Sequence, residues 1–507
     1  MKKIDIVIPV YNALADVEQC ILSVLANQDG FELRLILVND ASGVETTDFL
    51  HEMATKEPCI QLIESTINQG YSVSSNLGLE ASTAPYVVLM NSDTIVSENW
   101  LNRLVHCAES SEDIGIVSPV TNAAIWQSVP YIPDKHTAST INFPSRKEID
   151  DFAASVAKLS YAHYPELPYI HGYCQFIKRE VLDAIGVVDA EHYPNGMGSE
   201  LDFCFRAADA GFRSVVADDT FIYHGKAKSL DNETREESNW YSYLIETYGK
   251  ERYDTAYTQI KSCGALNALR EATSFHLFRK DLLSHSKRLN SNIAILVDAI
   301  QPNENIHSLL VACAVLWRKR DICVQLFIPE KRQEQVCRLY AEQVETHDLW
   351  LAYSESEQLL KHLCYFDVIV GTNPEVLSEA QSAYADTLTV LFANEESACE
   401  AMSDTLILSD TIEFAKALSS QTGRHVHLLE IAQIDCYTVS PLSKLLSFWY
   451  SERERLLHQK SEALLLLLKD ALLYHRRDKL AATFSKGVPP QNDMIPYEKF
   501  MDASKKS

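Results

Sequence analysis

The sequence has no paired-cysteine motif, no long apolar run and no excess of positive charge, and each absence excludes a class of protein. Its 12 cysteines are scattered from Cys20 to Cys436 without a CxxC pair, which fits neither a disulfide framework nor a zinc ribbon. They read as reduced thiols in a cytoplasmic protein, most of them buried as small hydrophobes. No stretch approaches the ~20 apolar residues that a membrane span requires, and the run Leu464 to Leu468 is too short. The start, MKKIDIVIPVYN, carries a basic pair like a signal peptide, but Asp5 and Pro9 interrupt it and no apolar core follows. A soluble chain is expected, with peripheral association at a membrane only through a partner. Lys and Arg number 45 against 70 Asp and Glu, a formal net charge of −25. Nucleic-acid phosphates are repelled by such a surface, so no nucleic-acid partner is expected. There are no internal repeats.

What is present is apolar material for more than one core. The 507 residues are 46% hydrophobic, too long for one compact core and enough for two or three. Strand-like runs at Ile4 to Val10, Leu33 to Val38, Ile60 to Ile63 and Tyr86 to Met90 alternate with helical patterns such as Val17, Ile21, Val24 and Leu25. That rhythm predicts an α/β fold with a mostly parallel, covered sheet. Ligands of such sheets bind beyond the carboxyl ends of the strands, where Asn12, Asp40, Asn68 and Asp93 fall. Residues 126–168, rich in Pro, Ser and aromatics with a helix at Glu148 to Leu159, read as a lid or binding loop.

A second, smaller Rossmann-like α/β unit is expected from strands at Ile293 to Val297, Cys323 to Ile328, Phe366 to Val370, Thr387 to Phe392 and Thr405 to Leu408, with a helix at Ile306 to Arg318. Its first strand is followed by Asp298-Ala-Ile-Gln-Pro302, which lacks a Gly-rich turn. The domains expected are 1–230, a helical linker over 231–290, the second α/β unit over 291–440, a helical segment over 441–485 and a loose tail over 486–507. Leu457, Leu464, Leu468 and Leu472 share one helical face. It reads as a docked core element, with a homodimer through it left open.

Four clusters bear on chemistry, and each has a plain structural reading beside the chemical one. Asp40, after a strand, can hydrogen-bond a nucleotide or simply cap a helix. Asn91-Ser92-Asp93, also after a strand, can hold Mg²⁺ or Mn²⁺, which prefer oxygen ligands, or form a turn. Ser199-Glu200-Leu201-Asp202 follows Gly196 and Gly198, and its acids either do chemistry or favour a helix N-terminus. His224 lies in Tyr223-His224-Gly225-Lys226-Ala227-Lys228-Ser229, as a metal ligand or a surface histidine beside a basic turn.

Taken in order, Pro9-Val10-Tyr11-Asn12, Asn39-Asp40, Asn68-Gln69-Gly70, Asn76-Leu77-Gly78, Asn91-Ser92-Asp93, Gly172, Ser199-Glu200-Leu201-Asp202 and His224 resemble the family 2 glycosyltransferases of GT-A fold. The likeness covers roughly residues 1–230 and is nearest to bacterial members that build surface polysaccharides, O-antigens and glycoprotein glycans. It implies an inverting transferase that moves a sugar from a nucleotide-diphosphate donor to a hydroxyl of a glycan, lipid-linked or glycoprotein acceptor. A UDP-sugar is the favoured donor, with dTDP-rhamnose as rival. By the same resemblance Pro9, Tyr11, Asn12, Asp40, Asn68, Gly70, Asn91 and Ser92 serve the nucleotide. Asp93 and His224 hold Mn²⁺ or Mg²⁺. Counting back from Arg206, Glu200 takes the place of the general base, with Asp202 as a supporting acid. Two departures stand out: Ser199 where many relatives have an acid, and Asn39-Asp40 in place of paired acids. The second unit weakly resembles the N-terminal half of GT-B glycosyltransferases and is expected to bind acceptor or serve assembly. The alternative from another class is a non-catalytic, transferase-like subunit that supports a partner enzyme.

Overall fold

The computed structural model describes residues 2–132, 141, 143, 145–225, 239–282, 293–297, 324–332, 350–353, 366–384, 387–393, 405–409 and 412–428, with single helical positions at 310–317, 359–363 and 461–474. The chain divides into two compact units, Met1–Ser274 and Phe275–Ser507. The helical residues from 239 to Ser274 group with the first unit, beyond the expected boundary at 230.

Four apolar runs open the first unit as strands β1 (Lys3–Val10), β2 (Glu32–Asp40), β3 (Ile60–Ser65) and β4 (Tyr86–Met90). Helices α1 (Leu14–Ala26), α2 (Val44–Lys56) and α3 (Tyr71–Ala81) alternate with them. β1 pairs in parallel with both β2 and β4. Ile4, Ile6, Val7, Ile8, Leu35, Ile36, Leu37 and Val38 have no exposed surface, as expected of central strands covered on both faces. Gly78 lets α3 lie close on β1, since a Cβ there would stand 2.2 Å from Val7 Cγ1. Asp5, the residue that breaks the amino-terminal apolar run, is buried at the start of β1. Arg34 donates to it from Nε at 2.9 Å and Nη2 at 2.6 Å, and the amides of Thr83 and Ala84 donate as well.

The sheet continues through β6 (Ile114–Val120), β7 (Cys174–Lys178) and β8 (Arg213–Phe221), in the order β3-β2-β1-β4-β7-β6-β8. β7 is antiparallel to both neighbours and β8 runs parallel to β6. The sheet is thus mixed and mostly parallel. A separate two-stranded ribbon joins β5 (Thr94–Ile95) to β9 (Tyr223–His224). Of the helices that follow, α4 (Trp100–Glu109) and α5 (Arg146–Leu159) pack on the sheet. α6 (Arg179–Ile185) precedes α7 (Ser199–Asp209), and α8 (Trp240–Tyr248), α9 (Lys250–Lys261) and α10 (Gly264–Leu282) close the series.

Among the described residues the second unit has seven strands, β10 (Ile293–Leu296), β11 (Val324–Pro329), β12 (Trp350–Tyr353), β13 (Val368–Gly371), β14 (Leu388–Phe392), β15 (Thr405–Ser409) and β16 (Val426–Leu428). Their order is β12-β11-β10-β13-β14-β15-β16 and every pairing is parallel, a Rossmann-like arrangement. Leu464, Leu468 and Leu472 are buried in its core cluster. These three leucines are spent on the unit's own core and cannot also form the dimer seam left open above. Leu457, the turn Asp298–Pro302 and the tail 486–507 lie outside the described residues.

Candidate active site

The strand ends of the first unit are cross-braced by side chains the sequence singled out. Asn12 accepts from the Gly43 amide through Oδ1 at 2.8 Å, and its own amide donates to Ser42 Oγ at 2.9 Å. Asp40 spans a wider gap: Oδ1 accepts from the Gln69 amide at 2.8 Å and Oδ2 from the Gly70 amide at 2.9 Å. Asn68 Oδ1 also accepts from Gly70, at 3.0 Å. Asp40 thus fixes the loop that enters α3. Asn12, Ala13 and Ala41 hold positive φ angles of 57°, 53° and 56°. Such strain in residues with a Cβ persists only where surrounding bonds impose it, and it concentrates at functional sites. Tyr11 is 42% exposed at this mouth. Pro9 is buried within β1 opposite Val38. Among the expected nucleotide residues, Tyr11 presents a side chain at this mouth and Pro9 does not.

Asp93 and His224 are brought together by the β5–β9 ribbon, in which Thr94 pairs with His224. His224 Nε2 lies 3.4 Å from Asp93 Oδ1 and 3.5 Å from Asn91 Nδ2. Its other nitrogen, Nδ1, is 3.1 Å from the Ala123 carbonyl. A carbonyl can only accept, so Nδ1 carries a proton, and in the neutral ring Nε2 turns a lone pair toward the carboxylate. Asn91 Nδ2 can donate to that lone pair, and a cation placed between Nε2 and the carboxylate would satisfy both acceptors. A histidine that donates its second N–H to a carbonyl is also the usual second shell of a metal ligand. The residues therefore fit a divalent ion. Asn122 fixes the backbone of His224 in both directions, accepting from its amide at 2.8 Å and donating to its carbonyl at 3.0 Å. Tyr173 stacks on the imidazole with centroids 5.2 Å apart. Ser92 is half-buried beside them. Lys226 and Lys228 lie outside the described residues.

Glu200 stands in the first turn of α7. Burial pushes its carboxyl up to about 7, against hydrogen bonds from the amides of Glu200 itself and Gly198 that pull it down. Gly198 adopts φ 83°, and a side chain there would meet Trp240 at 2.6 Å. Ser199 turns its hydroxyl back to the Gly196 carbonyl at 2.7 Å. The preceding loop is pinned rather than loose, since the Ser72 amide and hydroxyl donate to the carbonyls of Pro194 and Tyr193. Tyr71, which nothing in the sequence marked, lies within electrostatic reach of both Glu200 and Asp93 and so ties the two halves of the site together.

Asp202, expected as a supporting acid, is buried and turned away from that role. Oδ2 accepts from Arg206 Nε at 2.8 Å and Oδ1 from Tyr248 Oη at 2.6 Å. Two residues along a helix is a rotation of about 200°, so Glu200 and Asp202 cannot share a face. Arg270 is a second buried group the sequence did not flag. It donates to the main-chain carbonyls of Trp126 and Ser128 in the loop that also carries Ala123.

Residues 5–186 match the family described as glycosyl transferase family 2, and over that span the chain carries a glycosyltransferase family 2 domain. Among curated relatives, a Haemophilus influenzae protein called an uncharacterized glycosyltransferase is 32% identical over 103 residues, 20% of this chain and 41% of its own length. The minor teichoic acid biosynthesis protein GgaB of Bacillus subtilis is 30% identical over 116 residues, 22% of this chain and 13% of its own. These matches span less than half of either relative. Among solved structures, a Pyrobaculum calidifontis mannosyltransferase in complex with GDP-Man and Mn²⁺ aligns at 16% identity over 56% of this chain and 76% of that one, with a TM-score of 0.36. No helix among the described residues is long and apolar enough to cross a membrane.

Proposed function

We propose that the first unit is an inverting glycosyltransferase that moves a sugar from a nucleotide-diphosphate donor to a hydroxyl of a glycan, lipid-linked or glycoprotein acceptor in bacterial surface-glycan synthesis. The observation that carries this reading is the Asp93–His224 pair, with the histidine tautomer set by Ala123. Tyr11 offers a ring to the nucleobase, and Asp40 holds the 69–70 loop beside it. Asp93 and His224 would hold Mn²⁺ or Mg²⁺, with water and diphosphate oxygens completing the shell; when bound, the ion supplies Lewis acidity for the leaving diphosphate. Glu200 takes the proton of the acceptor hydroxyl as that oxygen attacks the anomeric carbon, and the diphosphate leaves from the opposite face. A carboxyl pushed to about 7 is suited to this at neutral pH, because about half of it is ionised and it is basic enough to accept a proton. A UDP-sugar is the favoured donor from the family resemblance, with dTDP-rhamnose as rival, and the teichoic acid relative favours a cell-envelope product.

The second reading, a non-catalytic subunit, is favoured by one observation: the Ser199 hydroxyl, where many relatives have an acid, is spent on Gly196. Thermal unfolding of the full chain with UDP, GDP and dTDP, with and without Mn²⁺, separates the two. A ligand that binds only the native state raises its melting temperature, increasingly as its concentration exceeds the Kd. The transferase reading expects a manganese-dependent rise with one nucleotide that Asp93→Ala removes. Absence of any rise would favour the subunit.

A further inference from the structure

Beside Glu200, five aromatic rings form a continuous chain that the chemistry above does not use. Trp126 meets Tyr257 edge to face at 5.6 Å between centroids, and Tyr257 stacks with Tyr253 at 6.3 Å and 21°. Tyr253 meets Tyr241 at 5.3 Å, and Tyr241 meets Trp240 at 5.7 Å. Tyr241 and Tyr257 are each 40% exposed, and neighbouring Ile125 is 48% exposed. Single exposed apolar residues are ordinary, but a contiguous strip marks a binding surface.

The strip is tied to the site at both ends and in the middle. Trp240 packs against Gly198, whose amide bonds the Glu200 carboxyl. Tyr169 lies within electrostatic reach of Glu200, Tyr253 and Tyr257 alike. Trp126 sits three residues past Ala123, the carbonyl that orients His224. The chemistry of the strip also selects its occupant. Aromatic faces with hydroxyl edges match a pyranose, which has an apolar C–H face and a polar rim. Two cations of the helix that carries Tyr253 and Tyr257 are already engaged, Lys250 by Asp254 at 2.6 Å and Arg252 by Asp209 at 2.8 Å, which leaves Lys261 as the third. A face whose charges are mostly paired suits an uncharged occupant better than an anionic one.

We propose that Trp126, Tyr257, Tyr253, Tyr241 and Trp240 form an acceptor track that stacks the pyranose rings of an uncharged oligosaccharide and leads its terminal hydroxyl to Glu200. The proposal rests on the transferase reading for its direction, but its test does not depend on turnover. Saturation-transfer NMR on the full chain with maltohexaose, cellohexaose and a chitin hexamer reads binding directly. At least one hexasaccharide is expected to bind. Tyr241→Ala/Tyr257→Ala should weaken it by about tenfold, while Tyr241→Phe/Tyr257→Phe, which keeps the faces, should stay within about twofold. Both variants change half-exposed side chains, and a melting curve confirms that each is folded. Binding to none of the three, or equal binding by the alanine variant, overturns the track. A change of sedimentation in the alanine variant without loss of sugar binding makes the strip an interface between copies and likewise overturns it. Sugar binding lost in that variant, in a chain that shows no nucleotide-dependent stabilisation, leaves the track standing and removes the transferase reading instead.

Discussion

Arg270 donates from Nε to the main-chain carbonyl of Ser128 at 2.9 Å, a buried charge with no ion pair among the described residues. Its remaining bonds go to the Trp126 carbonyl and to Asn267 Oδ1, and burial pushes its guanidinium down to about 10. Main-chain carbonyls take the place of a counter-ion, so the arginine binds a loop shape rather than a charge. Removing it strands two carbonyls away from water, which costs roughly 2–4 kcal/mol. Arg270→Met should therefore lower the melting temperature by several degrees. It should also weaken Mn²⁺ binding through the loss of Ala123 as a fixed acceptor, measured by titration calorimetry. Unchanged stability would show that the loop holds its shape alone.

The pair proposed to hold the cation makes a sharper prediction. His224→Ala and Asp93→Ala should each remove the manganese-dependent part of nucleotide stabilisation. The double variant should lose no more than either single one, because the two ligands act as a unit. Additive losses would place the two residues in separate sites.

Transfer should follow the ionisation of Glu200. The rate is expected to rise with pH through an inflection near 7, the value to which burial pushes the carboxyl, and to level off above it. Glu200→Gln should abolish transfer while leaving nucleotide stabilisation intact. Loss of nucleotide binding in that variant would refute the assignment.

The same ionisation has a cost in stability whose sign is fixed. The folded-state value stands above the ordinary carboxylate value, so the folded protein holds a proton that the unfolded chain releases. Stability from this group is full at acid pH and is lost as pH rises to about 7. Without donor, Glu200→Gln should be stabilising at pH 8, by at most ~3 kcal/mol, and near neutral at pH 4. Denaturant unfolding at the two pH values measures it.

Asp202 is expected to answer differently from Glu200. Asp202→Asn breaks the ion pair with Arg206 and should destabilise the unit by roughly 2–4 kcal/mol, leaving the pH profile of transfer unmoved. A shifted inflection would return Asp202 to the chemistry.

How much of this was legible in the sequence depended on the range of the contacts. Ile4 to Val10 and Tyr86 to Met90 were readable because a covered strand must be apolar throughout. The antiparallel direction of Cys174–Lys178 was not, since such a run looks the same either way and takes its sense from Leu89 and Ile116. Asp40 was recognisable as a strand-end acid, but its two amide partners are 29 and 30 residues distant, and no local pattern encodes that. The divergence of Glu200 and Asp202 follows from helical spacing alone, yet the resemblance had placed both in the chemistry. Ala123 and Arg270 left no trace, since one acts through a carbonyl and the other upon carbonyls, and side-chain identity says nothing of either.

The ribbon between Thr94 and His224 has a consequence for the order of assembly. Asn91 and His224, 133 residues apart, meet only after nearly the whole first unit has been synthesised. A nascent chain ending before residue 223 already holds all the residues of the seven-stranded sheet but lacks half of the cation pair. The entropy of closing so long a loop must be offset by other contacts first. Binding of the proposed divalent ion therefore requires the chain as far as His224, and it reports that synthesis has passed that point.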